Sequence, residues 1–113
     1  MELLSKKCAP CDGGTPPMSI GEAQKYMAEV MGWNLIDNKK ITKEFKFKDF
    51  KEVMVFVNKV ADLAENQGHH PDIFIHGWNK ARLELSTHAI GGLSENDFIM
   101  AAKVDDINRF IFM

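Results

Sequence analysis

Hydrophobic positions change their period several times along this chain, and each change marks an element. Ile20, Ala23, Met27, Val30 and Met31 recur at helical spacing. They follow Ser19-Ile20-Gly21-Glu22, a capping-box spacing in which Ser and Glu satisfy each other's free backbone donors, and Gly32 is a suitable stop. The period then becomes two. Ile41, Phe45 and Phe47 share one parity while Thr42, Glu44, Lys46 and Lys48 share the other, which predicts a strand with one buried and one wet face. Residues 33–36 predict its hairpin partner across the polar turn Asp37-Asn38-Lys39-Lys40. Asp49-Phe50-Lys51-Glu52 repeats the capping spacing and opens a second helix. Its apolar face, running from Phe50 and Val53 through Phe56 and Val60 to Ala64, is broad enough to cover a sheet. Gly68 is placed to end it. A short strand is predicted over 72–75, a tight turn at His76-Gly77, and the longest strand over 78–87, where Ala81, Leu83 and Leu85 alternate with Lys80, Arg82, Glu84 and Ser86. Gly91-Gly92 breaks the chain. Ser94 then caps a last helix, with Asp97 three residues on and Phe98, Ala101, Ala102 and Ile107 inward. The predicted order is helix, two strands, helix, two strands, helix.

Composition narrows the class of molecule. At 113 residues, 45% apolar and 27% charged, the chain has the size and balance of one ordinary globular domain. We expect that domain over 19–113, after an irregular N-terminal arm over 1–18 that ends at Pro16-Pro17. The net charge of −2, with no basic stripe, argues against nucleic-acid binding. No apolar run reaches the length of a membrane span, and the first residues lack the apolar core of a signal peptide, so a cytoplasmic protein is expected. Cys8 and Cys11 form a Cys-x-x-Cys within the arm. That spacing is a weak metal or redox signal here: a closed zinc site needs four ligands, and no second Cys-x-x-Cys exists. The alternative is a mobile arm whose thiols do nothing essential.

The chemistry gathers at the histidines. His69-His70-Pro71 and Ser86-Thr87-His88 hold three of the four, at two sites that one hairpin can bring together. Imidazole is the side chain that titrates nearest neutral pH, so a converging trio points to proton transfer. Pro71 fixes its own φ and restricts His70 to an extended conformation just beyond the helix stop. By strand parity His88 falls with Ser86 on the polar face unless the strand bends first.

These same segments, with Trp78-Asn79-Lys80 and Gly92-Leu93-Ser94-Glu95-Asn96-Asp97, resemble in order the signature of the pterin-4a-carbinolamine dehydratases; Gly32-Trp33 and Phe45-Lys46-Phe47-Lys48-Asp49-Phe50 resemble that family's earlier segments. The resemblance covers roughly residues 19–107. It implies an α+β, two-layer sandwich, α-β-β-α-β-β-α, with a four-stranded antiparallel sheet carrying three helices on one face. It implies dehydration of 4a-hydroxytetrahydropterin to quinonoid dihydropterin in tetrahydropterin recycling, after an aromatic amino acid hydroxylase has acted. No cofactor or metal is implied; the pterin is substrate, and the chain is expected to form a homodimer or homotetramer. By motif position His69 and His88 form the acid–base pair, either of which could be the acid, and His70 orients or binds the pterin. Ser86 and Thr87 are expected to hydrogen-bond the pterin's amide edge, with Gly68, Trp33 and Asp97 also at the substrate. Three positions depart from the pattern: Gly68 stands where many relatives carry an acid, Asn96 where animal members often carry arginine, and Ala89 where an acid often follows Thr-His; one extra residue also lies within Asp72 to Gly77. Three other readings stand beside this one: a non-catalytic dimerisation or assembly module of the same fold, as animal members also serve a transcription factor; pterin handling in molybdenum-cofactor metabolism; and a metalloprotein using Cys8, Cys11 and the histidines.

Overall fold

The computed structural model describes residues 1–10 and 13–112. Its four strands, β1 (Asn34–Ile36), β2 (Lys40–Lys46), β3 (Asp72–His76) and β4 (Lys80–Leu85), form one antiparallel sheet in the order β1-β2-β4-β3. The alternation read from the sequence sets its two faces. Ile41, Phe45, Ala81, Leu83 and Leu85 are buried beneath the helices, while the pairs Thr42–Glu84, Glu44–Arg82 and Lys46–Lys80 line the other face. Three helices cover the buried face: α1 (Ile20–Met27), α2 (Phe50–Gln67) and α3 (Glu95–Phe110). This is the α+β arrangement expected.

Helix α2 supplies the middle of the core through Val53, Phe56, Val60 and Ala64. The Phe56 ring lies 4.9 Å from the rings of both Phe45 and Phe47, which fixes α2 over β2. The helix begins where Asp49 Oδ1 accepts the Glu52 backbone N–H at 2.9 Å. The Glu52 carboxylate reaches back one residue beyond the usual capping-box partner, to the Lys48 N–H at 3.0 Å. At the other end Gly68 adopts φ +68°, and the N–H groups of Gly68 and His69 both point at the Ala64 carbonyl, 2.8 and 3.3 Å away. That is the left-handed stop for which glycine is suited.

Three expectations are corrected. Helix α1 ends at Met27, short of Gly32; separate turns over 26–30 then carry Val30 into the core, while Ile20 and Met31 stay exposed. Helical spacing alone could not tell an apolar residue at an exposed first turn from one on the inner face. Trp78 does not start a strand. It sits exposed at φ +56° beside Gly77 at φ +58°, so the β3–β4 hairpin turns through two left-handed residues, as the β1–β2 hairpin does at Asp37 and Asn38. Third, the N-terminal segment is docked. It carries a 3₁₀ turn at Leu3–Ser5, with Leu3 and Cys8 buried in the core cluster. At the far end Phe112 packs edge-on against Phe47, their centroids 6.0 Å apart, although Phe110 stays exposed; Met113 lies outside the described residues. Among the described residues no helix is long and apolar enough to cross a membrane.

The Gly68 stop yields a stability test. A Cβ built there meets nothing within 4 Å, so the cost of Gly68→Ala is the left-handed backbone alone. Urea unfolding is expected to show a loss of about 1–2 kcal/mol at unchanged m-value. An unmoved midpoint would mean that the helix end relaxes without strain.

Candidate active site

Each of the three histidines is positioned where a regular element ends. His69 and His70 follow the α2 stop directly. His88 lies just past β4, because β2 and β4 last pair at Ile41–Leu85 and the chain has no ladder left to continue. It bends into a 3₁₀ turn at His88–Ile90, closed by a bridge in which the Thr87 N–H donates to the Gly92 carbonyl at 2.8 Å. The bend takes His88 out of the strand parity that the sequence suggested and leaves it exposed.

Behind His69 stands a carboxylate with no solvent exposure. Asp97 Oδ1 is 2.6 Å from His69 Nε2, and its Oδ2 accepts from the Thr87 hydroxyl at 2.9 Å and from the Ser94 N–H at 3.0 Å. Burying a carboxylate is unfavourable unless donors replace its water. Here three do so, and the first turn of α3 adds the favourable end of the helix dipole. A carboxylate surrounded in this way only accepts, so the hydrogen between the two lies on His69 Nε2. The Thr87 hydroxyl has one hydrogen, which goes to Asp97; the Ser94 hydroxyl, 2.7 Å away, therefore donates to Thr87. His70 is held differently, by Glu65 at 2.5 Å on the surface.

Gly68, His69, His70, Ser86, Thr87 and His88 all line one cleft of about 440 Å³. The remaining expected residues lie elsewhere. Trp33, expected near the pocket, is a core residue: it is 4% exposed, stacks edge-on against Phe45 and donates its indole N–H to Asp105 at 3.0 Å. Asp97 sits behind His69 rather than on the cleft. Thr87 reaches the lining, but its hydroxyl and its N–H are both spent inside the protein, which leaves Ser86 as the side-chain hydroxyl free for a ligand. His76, at the hairpin turn, pairs with Glu44 at 2.5 Å across the open sheet face.

The N-terminal segment also reaches this site, where only the metalloprotein reading sets Cys8 beside the histidines. Cys8, Ala9 and Pro10 line the same cleft, as do Gln67 and Asn96. The Cys8 thiol is pushed up to about 11, chiefly by burial, so it stays neutral. Its partner in the Cys-x-x-Cys, Cys11, lies outside the described residues, and no metal-binding group of three His, Cys, Asp or Glu occurs among those described. No local signal in the sequence joins residues 8–10 to a helix almost ninety positions on. Asp97 was better marked, since its capping-box spacing from Ser94 already placed it at the α3 start.

The arrangement offers two imidazoles of different character, one braced by a buried carboxylate and one exposed, beside a hydroxyl in a cleft large enough for a small heterocycle. Comparisons with known proteins fit that description. The sequence model for pterin 4 alpha carbinolamine dehydratase matches residues 16–107. A Nitrosospira multiformis protein bearing the pterin-4-alpha-carbinolamine dehydratase name is 50% identical over 94% of this chain and 92% of its own length. A Rubrobacter xylanophilus protein of the same name is 45% identical over 92% and 96%. Among solved structures, a Brucella melitensis protein titled a transcriptional coactivator/pterin dehydratase superposes with a TM-score of 0.75 at 34% identity, covering 80% of this chain and 97% of its own. A pterin dehydratase-like RuBisCO assembly factor of the alpha-carboxysome, 24% identical with a TM-score of 0.57 over 67% of this chain and 88% of its own, shares the fold. The chain belongs to the pterin-4a-carbinolamine dehydratase family.

Proposed function

We propose that this protein dehydrates a 4a-hydroxytetrahydropterin to the quinonoid dihydropterin by histidine acid–base catalysis. The observation that carries this reading is the cleft itself, where His69, His70 and His88 meet and His69 is braced by the buried Asp97 carboxylate. The reaction breaks the C4a–O bond and forms the C4a–N5 double bond. An acid must protonate the departing oxygen, which leaves as water, while a base takes the proton from N5. Oxidation state does not change, so the step asks for two proton-transfer groups and nothing further.

His69 and His88 are the two groups. Each imidazole can contribute about two to four decades of rate when suitably held. Asp97 makes His69 a defined tautomer with Nδ1 toward the chemistry, and it stabilises the imidazolium if His69 takes the proton. His70 orients the pterin, and Ser86 hydrogen-bonds its amide edge. Thr87 serves through Asp97 instead of touching the ring. A pterin hydroxylated at C4a is the by-product of aromatic amino acid hydroxylation, so a reaction of that class supplies the substrate and the protein acts in tetrahydropterin recycling.

One observation favours a second reading: the Brucella relative is also named a transcriptional coactivator. An assembly role would leave the histidines dispensable, which separates the two.

The decisive measurement is dehydration of freshly generated 4a-hydroxytetrahydropterin. Wild type is expected to accelerate it, and His69→Ala and His88→Ala, each shown to be folded, to lose at least about a hundredfold. Acceleration that survives both substitutions would remove the assigned roles, and a folded wild type without any effect would favour the assembly reading. Asp97→Asn tests the brace separately. Its amide can donate where the carboxylate only accepts, so the His69 tautomer is lost, and kcat should fall at least about tenfold with little change in KM. A wild-type kcat in this variant would show that His69 needs no partner.

A further inference from the structure

The N-terminal ten residues are tied down at successive points, and the ties converge on the cleft. Leu3 is buried against α3, and Lys103 Nζ donates to the Leu4 carbonyl at 2.8 Å. Lys6 pairs with Glu95 at 2.8 Å, and hydrogen bonds from Lys6 and Tyr26 hold that carboxyl below its ordinary range. The Cys8 N–H donates to Gln67 Oε1 at 2.9 Å, and its thiol points to the Asn96 carbonyl at 3.7 Å. Asn96 then grips Ala9 by both backbone groups: Oδ1 accepts the Ala9 N–H at 2.9 Å, and Nδ2 donates to the Ala9 carbonyl at 2.7 Å.

That last pair imitates a strand pairing with a side chain. It depends on the backbone of residue 9, so it fixes the path of the chain rather than one side chain. Asn96 is itself 7% exposed, so breaking the pair would leave buried donors and acceptors without partners. The residues that do the gripping, Gln67 and Asn96, are cleft residues themselves, and the gripped segment supplies three of the twelve described residues that line the cleft. Beyond the cleft the chain stays close to the site: the Met18 N–H donates to the Leu93 carbonyl at 2.9 Å, and a Cβ on Gly92 would come within 2.7 Å of Pro17. Small, uncharged Cys8, Ala9 and Pro10 make a wall that a flat heterocycle can lie against.

We propose that the N-terminal strap is part of the substrate site: Asn96 and Gln67 clamp residues 8–10 into the cleft wall, where they set the affinity for the pterin without entering the proton transfers. Asn96 is then a positioning residue that acts through the strap. The inference rests on the dehydratase reading above and deepens it.

Two measurements test it. In the first, kcat and KM for 4a-hydroxytetrahydropterin are compared among the full chain, a chain lacking residues 1–10, Asn96→Ala, and the two changes combined, each with a cooperative unfolding transition. KM is expected to rise about tenfold in either single change with kcat within about twofold, and the combination to be no worse than either, because both remove the same wall. A shortened chain that folds and keeps the wild-type KM would overturn the inference. So would a combination in which the two losses multiply, since Asn96 would then touch substrate on its own. The second measurement needs no truncation. In full-length Cys11→Ser protein, the rate of Cys8 modification by a thiol reagent is followed with and without saturating 7,8-dihydropterin. Bound pterin is expected to slow it at least about fivefold and Asn96→Ala to speed it by a similar factor; a rate indifferent to the pterin would separate the strap from the site. An inactive wild type would sink the dehydratase reading, whereas an active one with unchanged KM in the variants would sink the strap alone.

Discussion

A carboxylate sealed from water has to be surrounded by donors, and the donors that surround Asp97 come from three separate places in the chain. His69 leaves α2, Thr87 leaves β4, and Ser94 begins α3. Each would be an irregular chain end if considered alone. Meeting at one buried anion, they hold the exits of a helix and a strand and the entry of a second helix in fixed relation. The same constraint selects the tautomer of His69. Structural and chemical demands therefore fall on one side chain, and a substitution there acts on both.

Much of the fold was legible because its signals are local. Strand parity divided Ile41 and Phe45 from Thr42 and Glu44 correctly, since every second residue of a strand must face the same layer. Capping pairs and glycine stops marked where α2 and α3 begin and where α2 ends, because an unsatisfied helix end calls for particular residue types. Where the reading failed, a local signal had two physical solutions. Met31 and Ile20 are apolar at helical spacing, yet they lie beyond the end of α1 and on its outward first turn. Trp78 has the bulk of a strand residue but takes a left-handed turn position, which its sequence neighbour Gly77 makes possible.

The site divides in the same way. Histidines at element ends could be seen, because helix stops and strand breaks are visible in sequence and imidazole is rare enough to notice. The function of a hydroxyl could not. Thr87 reads equally well as a ligand for substrate or as a donor to a buried anion, and only the position of Asp97 decides between them. Trp33 is a similar case: an aromatic near a recognised motif suits a pocket or a core, and its indole N–H found Asp105 inside the protein. The pairing of Asn96 with Ala9 left no trace at all. It joins positions 87 residues apart through a backbone contact that nearly any residue at position 9 could make.

That separation bears on when the cleft can exist. Closing a loop of this length is entropically unfavourable and gains nothing until both ends are folded. The ends of α2 and β4 supply one side of the cleft, whereas its other wall needs α3 in place and the first residues laid across it. Native chains open in pieces, and the least stable piece opens most often. A molecule with its sheet intact and its N-terminal segment released would pass as folded by most measures of secondary structure. It would nonetheless lack one side of its cleft.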